Sequence, residues 1–291
     1  MKLKKIMLSA LMLTMMASVA GCSSAEGAKN NDKNEGETVI ATSVAVVEIL
    51  DKLGVKVDGV PNTSYELPES CKDAIKVGNP MNPDLEIIKS LNPKIVVSVD
   101  TLGQDFMDMF TENNIPSEFI DLTSLEGLKE SIESLGKTFN KEESAKSILE
   151  ELATKEKELA SKSEGKEKPN VLTVFGAPGT MMLGTSKSYI GNLVQLAGGE
   201  NALESNTSSF LPINKEELIN LDPDVIVVMT HADPENSKQM VEEAFNSDTA
   251  WKNLSAVKNN KIHYLENNYF GMSANLKVIE ALDKMHKMIY E

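Results

Sequence analysis

The sequence predicts an α/β protein in which two Rossmann-like lobes, each a parallel sheet with flanking helices, are joined by one long helix. From residue 38 onward, short apolar strands alternate with amphipathic helices, a pattern typical of parallel sheets that are covered on both faces. Residues 86–97 and 216–227 repeat one another, because both run through a helix, a Leu-Asx-Pro turn and an apolar strand. The two copies flank a long charged helical segment, which indicates one lobe on each side of it.

The start of the chain is predicted to be an export signal. Lysines precede an apolar run over residues 6–20, which is shorter than the about 20 residues of a comfortable membrane span. Small residues and Cys22 follow, which resembles a bacterial lipobox and predicts a lipoprotein signal peptide over residues 1–21 with the lipid on Cys22. An ordinary signal peptide with an incidental cysteine is the alternative. Residues 22–37 are polar and are predicted to be a disordered tether.

The N-terminal lobe is predicted over residues 38–140. Continuous apolar runs predict its strands, and apolar residues at helical spacing predict its helices. The first helix is expected to end at Gly54, a residue typical of helix C-termini. Strands are predicted at residues 38–42, 57–60, 75–78, 94–99 and 117–122, and helices at residues 43–53, 84–91 and 125–137.

A bridging helix is predicted over residues 141–167, and the C-terminal lobe over residues 168–291. The bridge consists of strong helix formers, most of them charged, and ends at Gly165 ahead of Pro169. A surface helix of a single domain is the alternative to a stiff spacer between two lobes. In the C-terminal lobe, strands are predicted at residues 171–175, 225–229 and 261–264, and helices at residues 188–197, 215–221 and 274–290.

Composition excludes several kinds of partner and chemistry. The formal net charge is −15 and all 29 basic residues are lysines, so the surface repels nucleic acid and anionic lipid. Without arginine, an anionic ligand must be held by backbone N–H groups, hydroxyls or a lysine. The sequence has no P-loop, nucleophile elbow or dinucleotide fingerprint, and the chain is predicted not to be an enzyme. Cys71 is predicted to be a structural or surface thiol.

Two side chains are candidates for metal ligation. His231 directly follows the apolar strand segment at residues 225–230, and ligands of open parallel sheets bind at the carboxyl ends of strands. Met81 lies in a polar loop that is stiffened by a proline on either side, although methionine ordinarily fills cores and such a core role is the alternative. Of the other two histidines, His263 is predicted to be structural and His286 to lie on a solvated helix face.

A thioether and an imidazole that face each other suit a heme iron whose two axial positions are filled. The sequence shows no dense His/Asp/Glu cluster for a naked divalent metal, so a macrocycle would have to supply the other four ligands. The helix starts at residues 41–45 and 186–189 carry hydroxyls and free N–H groups, which could bind the carboxylates of heme. Ordinary N-caps are the alternative for either helix start.

The chain resembles the class III solute-binding lipoproteins of ABC importers for iron–siderophores, vitamin B12 and heme, and among these it is most similar to heme receptors. The stretches that carry the resemblance are residues 41–45, 77–84, 188–191 and 196–201 and the strand end at His231. The resemblance implies the class III periplasmic-binding-protein fold and a heme iron held by Met81 and His231. It also implies a heme pocket and propionate site, for which the candidates are Thr42, Ser43, Val44, Ala45, Ser64, Tyr65 and Tyr189.

The implied function is that of a monomeric, lipid-anchored receptor on the outer face of the bacterial cytoplasmic membrane. It would take heme from donor proteins at the cell surface and deliver it to an ABC permease and its ATPase for iron acquisition. Glu86 and Glu216 match the acidic residues with which related proteins dock on the permease, and solvated helix faces are the alternative. A lipoprotein of the same fold for a ferric siderophore or a corrinoid remains open as a function, as does an exported enzyme or adhesin.

Overall fold

Two β-sheets organise residues 38–291, which are the residues that the structure, a computed structural model, describes. The signal peptide, the tether and the lipidation site predicted at residues 1–37 lie outside the described residues. Within residues 38–291, no helix is both long enough and apolar enough to cross a membrane. The described residues pack as parts of one compact unit.

The first sheet is parallel throughout, in the order β3-β2-β1-β6-β7. A separate antiparallel hairpin, β4–β5, follows β3. The strands are β1 (Val39–Ala41), β2 (Gly59–Val60), β3 (Ile75–Lys76), β4 (Gly78–Asn79), β5 (Asn82–Pro83), β6 (Ile95–Val99) and β7 (Ser117–Ile120). The helices are α1 (Val44–Lys52), α2 (Leu85–Ser90), α3 (Gln104–Glu112) and α4 (Leu125–Thr138).

One long helix, α5 (Glu142–Ser163), separates the two sheets along the chain. Its buried residues recur at helical spacing at Ala145, Ile148, Leu152 and Leu159. It packs against α4 on the N-terminal side of the chain and against two helices on the C-terminal side, α6 (Tyr189–Leu196) and α11 (Val278–Tyr290). The predicted bridging segment is therefore a helix in contact with elements from both sides.

The second sheet has the order β11-β9-β8-β12-β13, and β10 pairs with β8. Its strands are β8 (Asn170–Ala177), β9 (Thr180–Gly184), β10 (Glu200–Asn201), β11 (Phe210–Pro212), β12 (Val225–Thr230) and β13 (Ile262–Tyr264). Its further helices are α7 (Lys215–Leu221), α8 (Pro234–Ser247), α9 (Thr249–Lys252) and α10 (Ser255–Lys258). The α/β class with parallel sheets and flanking helices is confirmed, but β9 and β11 run antiparallel to their neighbours.

The two copies of the repeat adopt the same local structure. Asp84 and Asn214 cap α2 and α7, and each accepts hydrogen bonds from the N–H groups of the second and third residues of its helix. After each helix the Asx residue of the Leu-Asx-Pro turn has a left-handed backbone, with φ of +46° at Asn92 and +30° at Asp222. The chain then enters β6 in the first sheet and β12 in the second.

Two minor predictions are tested by burial. Cys71, predicted to be a structural or a surface thiol, is a buried free cysteine and therefore not a surface thiol. The prediction that His286 lies on a solvated helix face is wrong, because its ring is partly buried and its Nδ1 lies 2.8 Å from the carbonyl oxygen of Ala197. The amphipathic pattern of α11 did not reveal this contact, since it depends on the neighbouring helix α6.

Candidate ligand-binding site

A cavity of about 580 Å³ opens between segments that belong to the two sheets. From the N-terminal side it is lined by the start of α1 and the loop after β2. From the C-terminal side it is lined by the end of β12 and the segment between β13 and α11. The lining residues are Ser43, Val44, Ala45, Glu48, Ser64, Tyr65, Glu66, His231, Asn267, Asn268, Gly271, Met272, Ser273, Asn275 and Lys277.

His231 reaches this cavity from the carboxyl end of a buried central strand. All residues of β12 are buried, and the strand pairs with β8 on one side and β13 on the other. The backbone N–H of His231 donates to the carbonyl of Gly176 over 2.9 Å, so the strand remains paired up to this residue. Asp233 then caps α8, accepting from the N–H of Asn236 over 3.3 Å. The imidazole is exposed, while the backbone that carries it is held by the paired strand before it and by the capped helix after it.

The start of α1 forms the opposite part of the lining. Ser43 is the N-cap and accepts from the N–H of Val46 over 3.4 Å. Val44 and Ala45 form the first turn of the helix, where backbone N–H groups have no partner within the helix. Thr42 is not brought to the cavity, because it is buried and its hydroxyl donates to Ser98 Oγ over 2.6 Å.

Ser64 and Tyr65 line the cavity from the loop after β2, and the ring of Tyr65 is exposed. The N–H of Tyr65 donates to Thr63 Oγ1 over 3.0 Å. In the same loop, the N–H of Asn62 donates to the carbonyl of Gly78 over 2.8 Å. This bond attaches the lining loop directly to the β4–β5 hairpin.

Met81 lies at the turn of the β4–β5 hairpin. Its N–H donates to Asn79 Oδ1 over 2.9 Å, and its side chain is 69% exposed. The exposure contradicts the alternative in which Met81 fills the core. Met81 is not among the residues that line the cavity, but its hairpin is hydrogen-bonded to the loop that carries Ser64 and Tyr65.

Tyr189 is not brought to the cavity either. It is the first residue of α6, lies in the hydrophobic core, and is only 2% exposed. Its hydroxyl has no hydrogen-bond partner among the described residues, and burial raises the pKa of the phenol well above its ordinary value. Of the predicted pocket residues, the cavity thus brings together Ser43, Val44, Ala45, Ser64, Tyr65 and His231.

Several lining residues were missed by sequence reasoning, among them Glu48, Met272 and Lys277. Met272 lies in a segment without apolar periodicity. Lys277 falls at a polar position of the helix predicted at residues 274–290, which in the structure begins at Val278. A usable signal was present, because residues 265–277 follow β13 and therefore start at the carboxyl end of a parallel strand, as His231 does. Glu48 was missed because it occupies a polar position of an amphipathic helix, where a charged residue is expected without any functional role.

Glu48 and Lys277 are neighbouring side chains in the lining of the cavity. The nearest carboxylate oxygen of Glu48 lies 3.9 Å from Lys277 Nζ, with Glu48 21% and Lys277 47% exposed. Burial raises the pKa of the Glu48 carboxyl above its ordinary value, and the Lys277 ammonium offsets part of that rise. A loosely paired acid and base thus stand in a cavity that otherwise presents mainly hydroxyls, amides and apolar groups.

Among residues 38–291, no group of three or more His, Cys, Asp or Glu side chains could hold a bare metal ion. The cavity offers a single imidazole, free N–H groups and one lysine beside the carboxylates of Glu48 and Glu66. The free N–H groups and the lysine can bind the anionic groups of an organic ligand. A metal that enters with its own macrocycle needs from the protein only axial ligands.

Glu86 and Glu216 lie away from these lining residues. Each is the second residue of its helix, with an N–H that donates to the capping Asx side chain over 3.0 Å and 3.1 Å respectively. Both side chains are exposed, and Glu86 forms a 3.4 Å ion pair with Lys89 of its own helix. Exposure is compatible with docking to a partner and also with a solvated helix face.

Comparisons with known proteins agree with this architecture. The High-affinity heme uptake system protein IsdE of Staphylococcus aureus (strain Newman) is 33% identical over 290 residues, which cover 99% of this chain and 98% of that protein. The crystal structure of S. aureus IsdE complexed with heme superposes with a TM-score of 0.84 at 35% identity, covering 88% of this chain and 99% of that chain. An ABC transporter substrate-binding protein from Listeria monocytogenes EGD-e superposes with a TM-score of 0.83 at 38% identity, with the same coverage of 88% and 99%.

These matches confirm the resemblance to solute-binding proteins of ABC importers and the class III fold that it implied. They also confirm the expectation of a binding protein rather than an enzyme. A sequence profile for the family described as "Periplasmic binding protein" matches residues 39–269, most of the chain. The chain therefore belongs to the periplasmic binding protein family.

Proposed function

We propose that this chain is the heme-binding receptor of an ABC importer and that it delivers heme to the permease for iron acquisition. The observation that carries the proposal is the exposed imidazole of His231, which opens into a cavity whose opposite lining is the first turn of α1. Support comes from S. aureus IsdE, a heme uptake protein whose crystal structure contains heme and which is alike over nearly the whole chain.

Met81 and His231 are the proposed axial ligands of the heme iron. Both side chains are exposed, as ligands for an incoming metal must be. His231 stands on the wall formed by the second sheet, and Met81 stands on a hairpin attached by Asn62 to the loop of the opposite wall. The two residues are thus supported by different sheets, so that a flat macrocycle between them could be gripped from both faces.

The propionates are proposed to bind at the start of α1 and at the loop after β2. Val44 and Ala45 offer N–H groups at the positive end of a helix, and Ser43 and Ser64 offer hydroxyls. A chain without arginine depends on such groups for anions. Tyr65 adds an exposed aromatic ring to the same wall, which favours contact with an apolar macrocycle.

The cellular setting is part of the proposal. Proteins of this family work with an ABC permease. We propose that Glu86 and Glu216 dock on that permease, that Cys22 carries a lipid anchor on the outer face of the cytoplasmic membrane, and that the monomer receives heme from surface donors. We also propose two lobes, over residues 38–140 and 168–291, which are joined by a helix over residues 141–167.

A hemin titration of the purified full chain tests the proposed site. We expect a sharpened Soret band and the spectrum of six-coordinate heme, and we expect His231→Ala and Met81→Ala each to convert that spectrum to a five-coordinate one. His286→Gln and Met107→Ala are controls, because these side chains belong to α11 and α3 and lie neither in the cavity lining nor on the β4–β5 hairpin, and both should leave the spectrum unchanged.

Unchanged spectra in both the His231 and the Met81 variants would remove the assignment of the ligands. Failure of hemin to bind, together with a thermal shift caused by a ferric siderophore or a corrinoid, would replace the proposed cargo by one of the alternative ligands of the same fold.

A further inference from the structure

The ion pair between Glu48 and Lys277 is built from residues that are far apart in the chain. Glu48 belongs to α1, next to the first sheet, and Lys277 is the residue that precedes α11, next to the second sheet. Both line the cavity that contains His231. Their separation of 3.9 Å is at the long limit of a contact ion pair, whereas the chain's pair between Lys155 and Asp283 is 2.6 Å long.

The position of Lys277 does not serve the stability of its helix. It is the N-cap residue of α11, a helix of 13 residues with no capping hydrogen bond from a side chain. A cation at this end meets the positive end of the helix dipole, which is unfavourable. Lys277 is also the only lysine among the residues that line the cavity within the described chain, and the whole chain has no arginine.

Glu48 is held where its charge is poorly compensated. Its side chain is mostly buried, and burial raises the pKa of its carboxyl while Lys277 acts in the opposite direction. Lys52 lies one turn further along α1 and is exposed. The other ionisable side chains that line the cavity are Tyr65, Glu66 and His231.

We propose that Lys277 binds a carboxylate of the cargo and that Glu48 is the internal counter-ion which this carboxylate displaces. The inference rests on the proposed heme-binding function, and the carboxylates are then the propionates of heme. In the empty cavity Glu48 neutralises Lys277, so the lysine is kept in place without attracting unrelated anions as strongly as a free ammonium would. A cargo carboxylate that reaches Lys277 exchanges one ion pair for another.

The exchange links binding to proton uptake. Once the cargo carboxylate holds Lys277, Glu48 loses the cation that opposed the rise of its pKa, so the Glu48 carboxyl takes up a proton from solvent more readily. At Glu48 the complex then binds more protons than the empty protein, so this residue contributes a part of the affinity for a carboxylate cargo that increases as pH falls through the range in which Glu48 titrates. A neutral residue at position 48 should remove this part of the pH dependence.

Equilibrium titrations of the full chain with hemin and with its dimethyl ester, which lacks both free carboxylates, separate binding of the carboxylates from binding of the rest of the cargo. Lys277→Gln should weaken hemin binding about fivefold and leave ester binding unchanged. Glu48→Gln should change affinity in the opposite direction, because it removes the competitor, and should strengthen hemin binding about twofold or more. Lys52→Gln is the matched control, since it removes a lysine of α1 that does not line the cavity.

The inference is overturned if Lys277→Gln and Lys52→Gln bind hemin equally well, or if Lys277→Gln weakens hemin and ester binding to the same extent. It is also overturned if Glu48→Gln weakens hemin binding or keeps the pH dependence of the unmodified chain. An unmodified chain that does not bind hemin would contradict the proposed function itself. If the unmodified chain binds hemin with the six-coordinate spectrum and Lys277→Gln binds hemin equally well, the inference is contradicted and the proposed function is not.

Discussion

Gly78 controls the position of Met81 through its own backbone. Its φ of +101° lies in a region that residues with a side chain rarely adopt, and it is the first residue of the β4–β5 hairpin. A Cβ atom added here would lie 2.6 Å from the backbone nitrogen of Asp84, which cannot move without displacing the cap of α2. The hairpin and the start of the following helix therefore both depend on the absence of a side chain at this position.

We expect Gly78→Ala to destabilise the protein by about 2 kcal/mol, because strain at a left-handed backbone is combined with a clash against main-chain atoms. The displaced hairpin should also weaken Met81 ligation and shift bound heme toward five coordination. Gly103→Ala is the control, since its φ is +90° but nothing lies within 4 Å of an added Cβ. Equal effects of the two variants on the heme spectrum would contradict the role of Gly78.

His231 was predicted from the sequence, whereas Lys277 and Met272 were not. A histidine directly after an apolar strand is placed by one rule about the carboxyl ends of parallel strands. The segment that carries Met272 and Lys277 is positioned by tertiary contacts instead. Phe270 is buried, and the N–H of Ala274 donates to the carbonyl of Leu122 over 2.8 Å. Contacts between distant parts of the chain leave no local periodicity in the sequence.

At the scale of elements, α2 and α7 show how a short motif specifies a structure twice. Asp84 Oδ1 accepts from the N–H groups of Glu86 and Ile87 at 3.0 Å each. Asn214 makes the equivalent bonds in α7 at 3.1 Å and 3.5 Å. Helices of six and seven residues are too short to persist on their own, so caps and packing decide where they form.

Removal of either cap should lower the free energy of unfolding by about 1 kcal/mol. We expect Asp84→Ala to cost more than Asn214→Ala, because the carboxylate also interacts favourably with the positive end of the helix and its hydrogen bonds are shorter. Urea denaturation measures both. Asp84→Asn should retain most of the stability, since the amide oxygen can still accept, and a loss as large as that of alanine would contradict the capping role.

Most elements of the sheets could be predicted, but several connections could not. The β8–β9 hairpin turns through Pro178 and Gly179, and the antiparallel strand that follows this turn was not predicted. Helix α3 was not predicted, although Phe106, Met109 and Phe110 recur at helical spacing and pack on one face of it. Its nine residues provide a stripe of only two turns, which was overlooked.

At the scale of the whole molecule, α5 connects parts of the structure that belong to different sheets. Lys155 of α5 pairs with Asp283 of α11 at 2.6 Å, and Lys129 of α4 lies 3.2 Å from Glu156 of α5. Leu125 at the start of α4 donates its N–H to Asn192 Oδ1 of α6 over 2.9 Å. A cavity between two sheets held by such contacts can receive a ligand with little rearrangement of its walls.

Docking on a permease is a property of the whole surface, and the repeat suggests where it occurs. Glu86 and Glu216 hold the same position in the two copies of one motif, one beside each sheet. Replacement of both by lysine should preserve the six-coordinate heme spectrum, because neither residue lines the cavity. It should slow heme uptake by cells at least about tenfold, because it reverses both of the charges that are proposed to dock on the permease.

A double variant, Glu143→Lys with Glu235→Lys, is the matched control for this experiment. It changes the net charge equally, and both glutamates are exposed residues in the first turn of other helices, α5 and α8. If only the Glu86 and Glu216 variant loses transport while both proteins bind hemin, position rather than net charge determines docking. Normal uptake by the Glu86 and Glu216 variant would mean that these glutamates are ordinary surface charges, and the permease would have to recognise another face of the molecule.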